Sequence, residues 1–220
     1  LYVNGVLEHT VENTSIGSID VSAGTGPQIG RYGAGNNYFY HGIVDEIRLS
    51  NTARSSEEIK ANAQFFPSSV YTSPIIDLTN ATSFNSFSWS GSGISTGDGE
   101  TASSSSGLVA QWNFNETSGT TASVATGSCG STCNGTLTNF SNTSGQDVVP
   151  TSGWTGEFKR WGAGAINFDG TDDYVTVADN NNLDITSALT IEAWIRPGDS
   201  SVTRTIVGKR DGGPSTIEAN

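Results

Sequence analysis

The chain has 220 residues, 34% of them hydrophobic and 9% aromatic, with 27 glycines. That aromatic content excludes wholesale disorder and suits short strands joined by Gly- and Asn-rich turns. Its 22 acids against 10 bases leave a formal charge of −12, which repels phosphate backbones and anionic lipid and excludes nucleic acid and membrane surfaces as natural partners. The same charge suits cation binding, and suits better the plain solubility of a secreted protein.

In chain order, Leu1–Leu7 alternates apolar and polar residues around Asn4-Gly5, a strong hairpin signal. A short strand is expected near Gln28–Arg31. Tyr38–Ser50 reads as a long strand with Phe39, Ile43, Ile47 and Leu49 facing a core and a kink permitted at Gly42. Ser55-Ser56-Glu57-Glu58 is a helix start, with Ser as N-cap and acids in the first turn. Between 65 and 106 the texture changes. Val70–Leu78 and Ser83–Trp89 read as strands, with Phe87 and Trp89 on one face and Phe84 on the other. Gly91–Ser106 then reads as a Gly/Ser/Thr-rich tether.

Strand patterning resumes at 107. Leu108, Ala110, Trp112 and Phe114 alternate as one buried face would. Ala165–Val177 reads as strand, tight turn, strand. Leu189–Arg196 is a strand that stops at Pro197, and Thr203–Lys209 is the last. No helical periodicity persists beyond a turn or two. The fold class expected is all-β.

Cys129 and Cys133, the two cysteines, fall short of the four ligands a structural zinc needs. A disulfide pinning a Gly/Ser loop is expected, which implies an oxidising compartment; a pair of free thiols is the alternative. No Gly-x-Ser-x-Gly elbow, His-Glu-x-x-His motif or phosphate loop occurs, and His9 and His41 lack a matching nucleophile motif. Asp45 and Glu46 are adjacent, so a regular strand sends their side chains to opposite faces. A catalytic role is therefore not expected. Trp154, Trp161, Tyr32 and Tyr38 lie in loop-like sequence, where they suit stacking on sugar faces; for Trp154 and Trp161 the alternative is capping of an open sandwich end. Trp112 and Trp194 sit within strands and suit core packing.

Gly107-Leu108-Val109, Trp112-Asn113-Phe114-Asn115-Glu116, Phe168-Asp169-Gly170-Thr171-Asp172-Asp173-Tyr174-Val175, Leu189–Ile195 and Ile206-Val207-Gly208-Lys209 resemble the opening half of a laminin G-like, concanavalin A-like jelly roll. Leu1-Tyr2-Val3-Asn4-Gly5, Ile29-Gly30-Arg31 and Gly42–Leu49 resemble its closing half. The halves stand in reversed order. The resemblance thus implies an antiparallel β-sandwich split as a closing half at 1–64, a β-segment and linker at 65–106, and an opening half at 107–220. A tandem array cut out of phase explains this, as does a polymer whose neighbours complete each other, or a circular permutant.

In that family the first and last strands lie side by side and often hold a structural calcium. By resemblance the candidate ligands are Asp45, Asn115 and Glu116, with Asp169 and Asp172 in the Asp-Gly-Thr-Asp-Asp turn. Its glycosidases carry a Glu-x-Asp-x-x-Glu strand, which is absent here. The expected function is a non-catalytic, extracellular repeat of a secreted or cell-surface protein, serving in adhesion or as a unit of a surface fibre. Its partners would be other copies of the chain and glycans. The alternative is a carbohydrate-binding module attached to a polysaccharide-degrading enzyme.

Overall fold

The computed structural model describes residues 1–10, 26–32, 38–63, 101–102, 104–147, 152–157, 162–199 and 201–209. The first seven residues form β1 (Tyr2–Val3) and β2 (Val6–Leu7), paired antiparallel. Their turn has φ of 51° at Asn4 and 76° at Gly5, the doubly left-handed backbone that Asn-Gly accepts. Next come β3 (Gln28–Ile29), β4 (His41–Ser50) and α1 (Ser56–Ala63). A reciprocal capping box starts α1: Glu58 N donates to Ser55 Oγ at 3.2 Å and Ser55 N to Glu58 Oε2 at 2.9 Å.

The later segment supplies β5 (Leu108–Trp112), β6 (Thr121–Ala122), β7 (Val124–Thr126), β8 (Gly135–Thr138) and β9 (Asn142–Asp147). It continues with β10 (Gly153–Thr155), β11 (Ala165–Asp169), β12 (Tyr174–Val177), β13 (Thr190–Pro197) and β14 (Val207–Gly208). The larger sheet runs β7-β5-β4-β11-β10-β9, with β13 also on β4; the smaller runs β14-β3-β12-β8-β6. The expected strands Val70–Leu78 and Ser83–Trp89 lie outside the described residues. The all-β sandwich stands.

Strand β4 organises the larger sheet. It pairs with β13 from Ser50↔Thr190 to Gly42↔Pro197. It also pairs with β5 through Ile47–Ser50 and with β11 through His41–Val44. A strand has two edges, so β13 occupies one throughout, while β5 and β11 follow each other along the second. In the smaller sheet β3 lies between β12 and β14. The two chain segments therefore build one sandwich, each supplying strands that the other flanks.

The handover falls at Asp45 and Glu46. Arg48 lies opposite Glu192 but Asp45 lies opposite Trp194, so β4 carries one extra residue there. Glu46 takes φ 53° to accommodate this bulge. Val44 and Ile47 are thereby both in the core, three residues apart. The expectation that Asp45 and Glu46 point to opposite faces fails for this reason. Both side with Arg48 on the face away from the core, and α1 with the residues just before it packs beside them: Arg54 Nη2 donates to Ser50 Oγ at 3.1 Å and Asn62 Nδ2 to Glu192 Oε1 at 2.7 Å.

Inside, Val44, Ile47, Leu49 and Trp112 of the larger sheet meet Ile29, Leu137, Val175 and Val177 of the smaller. Phe168 is fully buried, edge-on to Phe140 at 5.1 Å and to Tyr40 at 5.9 Å. Gly30 clears space for it: a Cβ there would stand 2.3 Å from the Phe168 ring. One expectation needs refinement. All five residues of β5 are buried, not one face, because the outer face is occupied by the Glu46–Arg48–Gln111 group. The strand, tight turn and strand expected over Ala165–Val177 are present as β11 and β12, which belong to different sheets.

Phe168→Ala removes a fully buried ring from the core. We expect it to lower unfolding free energy by about 3–5 kcal/mol, read from the midpoint of urea denaturation.

Candidate functional site

Because β11 and β12 belong to different sheets, Asp169-Gly170-Thr171-Asp172-Asp173 is a corner between layers. Asp169 Oδ1 accepts from Thr171 N at 2.7 Å, a local Asx turn, and Gly170 supplies φ of 80°. Asp173 turns inward and is fully buried. Its Oδ2 accepts from Asp169 N at 2.8 Å and its Oδ1 from the Ser152 hydroxyl at 3.3 Å. Asn139 Nδ2 holds the Asp172 carbonyl at 3.1 Å. Carboxylate oxygens of Asp169, Asp172 and Asp173 consequently lie within 4.8 Å of one another.

Burial pushes the Asp173 carboxyl up to about 6, with the charge of Asp169 adding to the rise; the hydrogen bonds from Asp169 N and Ser152 oppose it. Three hard oxygen donors at this spacing fit a calcium ion. Of the five residues expected to bind metal, Asp169 and Asp172 are in this group and Asp45, Asn115 and Glu116 are not. Chain direction explains the separation. The backbone turns at Phe114, φ 52°, and sends the next two side chains to loop contacts. Asn115 Oδ1 accepts from Ala163 N at 2.6 Å and Gly164 N at 3.2 Å, while Glu116 Oε1 accepts from Ser123 N at 2.6 Å. Asp45 is buried on β4, opposite Trp194. Asp173 was not among the expected ligands. Its place in an acidic turn was visible in sequence, but its inward rotation was not.

Beside this corner lies a polar pocket of about 380 Å³ lined by Arg31, Phe39, Asn139, Thr171, Asp172 and Tyr174. The Arg31 guanidinium sits 4.5 Å over the Tyr174 ring and 5.7 Å over that of Phe39.

A larger cleft of about 640 Å³ follows β13, between the β1–β2 hairpin with α1 and the β14 region. Tyr32 and Tyr38 line it, edge to face at 5.9 Å, and Tyr38 is half exposed. Its acids are tied down. Glu46 Oε2 accepts from Gln111 Nε2 at 3.0 Å and Arg48 at 3.4 Å, and Glu192 accepts from Asn62.

Trp154 does not offer a stacking face. It is fully buried in the middle of β10, and its Nε1 donates to the Gly119 carbonyl at 2.7 Å. Pairing of β10 with β11 carries it into the core. Trp161 lies outside the described residues. Trp112 is likewise buried, donating to the Cys133 carbonyl at 3.1 Å, while Trp194 is only partly covered. A disulfide joins Cys129 to Cys133 across the turn Gly130–Cys133.

Residues 1–60 match the laminin G-type family model of the concanavalin A-like lectin/glucanases superfamily. That segment carries β4, and the whole sandwich is consistent with the same fold. No curated protein and no solved structure matches the chain.

The raised pKa of Asp173 has a definite sign. Stability from its protonated form is fully present below the ordinary value of 3.8 and is lost as pH rises through about 6. In calcium-free buffer we expect Asp173→Asn to flatten the pH dependence of Tm between about pH 4 and pH 6, checked by calorimetry on both proteins.

Proposed function

We propose that the chain is a non-catalytic, extracellular β-sandwich repeat of a large secreted or cell-surface protein, acting in adhesion or as a structural unit of a surface fibre. The observation that carries this reading is the way β4, from one end of the chain, fills the middle of a sheet whose other strands come from beyond residue 107. An architecture in which distant segments complete each other suits a repeat in an array. The cleft supports the same reading, because Glu46 and Glu192 are committed to Arg48, Gln111 and Asn62 rather than set free for acid–base chemistry.

Calcium has a structural part in this proposal. Asp169, Asp172 and Asp173 would hold it, and its charge would relieve the repulsion among the three carboxylates. A carbohydrate-binding module is the second reading, favoured by the Tyr32–Tyr38 pair at the cleft.

A panel of polysaccharides incubated with the purified chain should release no reducing ends, and release of sugar would overturn the non-catalytic reading. On a glycan array, signal that falls with Tyr38→Ala would favour the second reading. Calcium at about one hundred times its dissociation constant should add roughly 2.7 kcal/mol. That corresponds to a rise in Tm of about 5–10 °C. Asp172→Asn should reduce the rise sharply in differential scanning fluorimetry.

A further inference from the structure

Strand β13 is eight residues long, and among the described residues it pairs only with β4. The hydrogen-bond parity shows what its other edge presents. Gly198 N donates to His41 O, and the Arg196 carbonyl faces Gly42, so even-numbered residues here direct their backbone groups at β4. Odd-numbered residues direct theirs outward. The open edge therefore presents the N–H and C=O groups of Ile191, Ala193 and Ile195.

On the core-side face, Leu189, Ile191, Ala193 and Ile195 make an apolar stripe at strand period. Ile191 remains 43% exposed and Ile195 42%. The cleft opens along this stripe. A long apolar edge with no bulge, no lysine and no central proline is a template for another strand.

We propose that β13 pairs antiparallel with β13 of a second copy of this chain, about a twofold axis at Trp194. Charge selects both partner and register. In this register Glu192 faces Arg196 of the other copy, and Arg196 faces its Glu192, giving two opposite-charge pairs from one self-complementary strand. These are the non-hydrogen-bonded positions, where side chains approach most closely. Ala193 meets Ile195 at the hydrogen-bonded positions, so the outward backbone groups satisfy each other. Ile191 meets Pro197, whose carbonyl still accepts although it has no N–H to donate. Moving either strand by two residues would lose both charge pairs. The apolar stripes then join into one, and the two larger sheets become continuous.

This pairing deepens the repeat reading by naming a contact surface, and it can fail separately. Light scattering and sedimentation equilibrium on the full chain should show a concentration-dependent dimer. Glu192→Arg and Arg196→Glu should each weaken it roughly tenfold through like-charge contacts, and the two changes combined should restore it. Ala193→Pro removes an outward N–H while sparing the bonds to β4. It should yield a monomer whose near-ultraviolet circular dichroism is unchanged. A folded wild-type monomer at every concentration would overturn the edge pairing, as would association indifferent to both charge reversals. Either result leaves the repeat reading in place, whereas release of sugar from polysaccharides would sink that reading and leave the dimer untouched.

Discussion

The rest of the structure depends on the hydrogen-bond saturation of one strand. His41–Ser50 is ten residues long, pairs along both edges and is buried along nearly all its length. Its bulge at Asp45–Glu46 solves a phase problem. Side chains alternate strictly along a strand, so without an extra residue Val44 and Ile47 would lie on opposite faces. The inserted residue keeps both in the core and places Asp45, Glu46 and Arg48 on the other face. That face then demands partners, because buried charge without hydrogen bonds is costly. Gln111 from β5 meets part of that demand by donating to Glu46.

This arrangement makes the two chain segments interdependent. β4 meets Leu108 at Ser50, Asp169 at His41 and Thr190 at Ser50, so its neighbours come from three separate stretches of later sequence. Forming such a sheet requires closing long loops before contacts compensate, and the cost grows only slowly with loop length. A long connection is therefore tolerated, and gain or loss of β4 should be felt throughout the sandwich as one cooperative event. The open edge of β13 is the counterpart of that closure. Among the described residues β13 pairs along one edge only, while the centre of the sheet is saturated.

The acidic corner follows from the crossing between sheets. Asp169 closes the larger sheet's strand, Tyr174 opens the smaller sheet's strand, and the backbone must change layer within four residues. Asp173 anchors the turn by accepting from Asp169 N and Ser152, at the expense of burying a carboxylate beside another. Strain of that electrostatic kind is what a hard cation relieves. The resemblance to a calcium-holding fold pointed to this turn and also to the ends of β4 and β5. Among the described residues, only the turn gathers its carboxylates.

Local chemistry was enough to reveal much of this. Asn4-Gly5 dictates a tight hairpin because both residues tolerate left-handed backbone. Ser55 with Glu58 dictates a helix start, and Pro197 ends β13, each through interactions within a few residues. Alternation likewise marked β4, β5, β11 and β13 as strands, and the jelly-roll resemblance named the fold. Partner identity was decided elsewhere. Whether Trp154 is exposed, whether Asp45 and Glu46 share a face, and whether β11 and β12 pair all depend on contacts between residues far apart in sequence. A single bulge or a change of sheet reverses such outcomes without altering any local pattern, so only the assembled sandwich determined them.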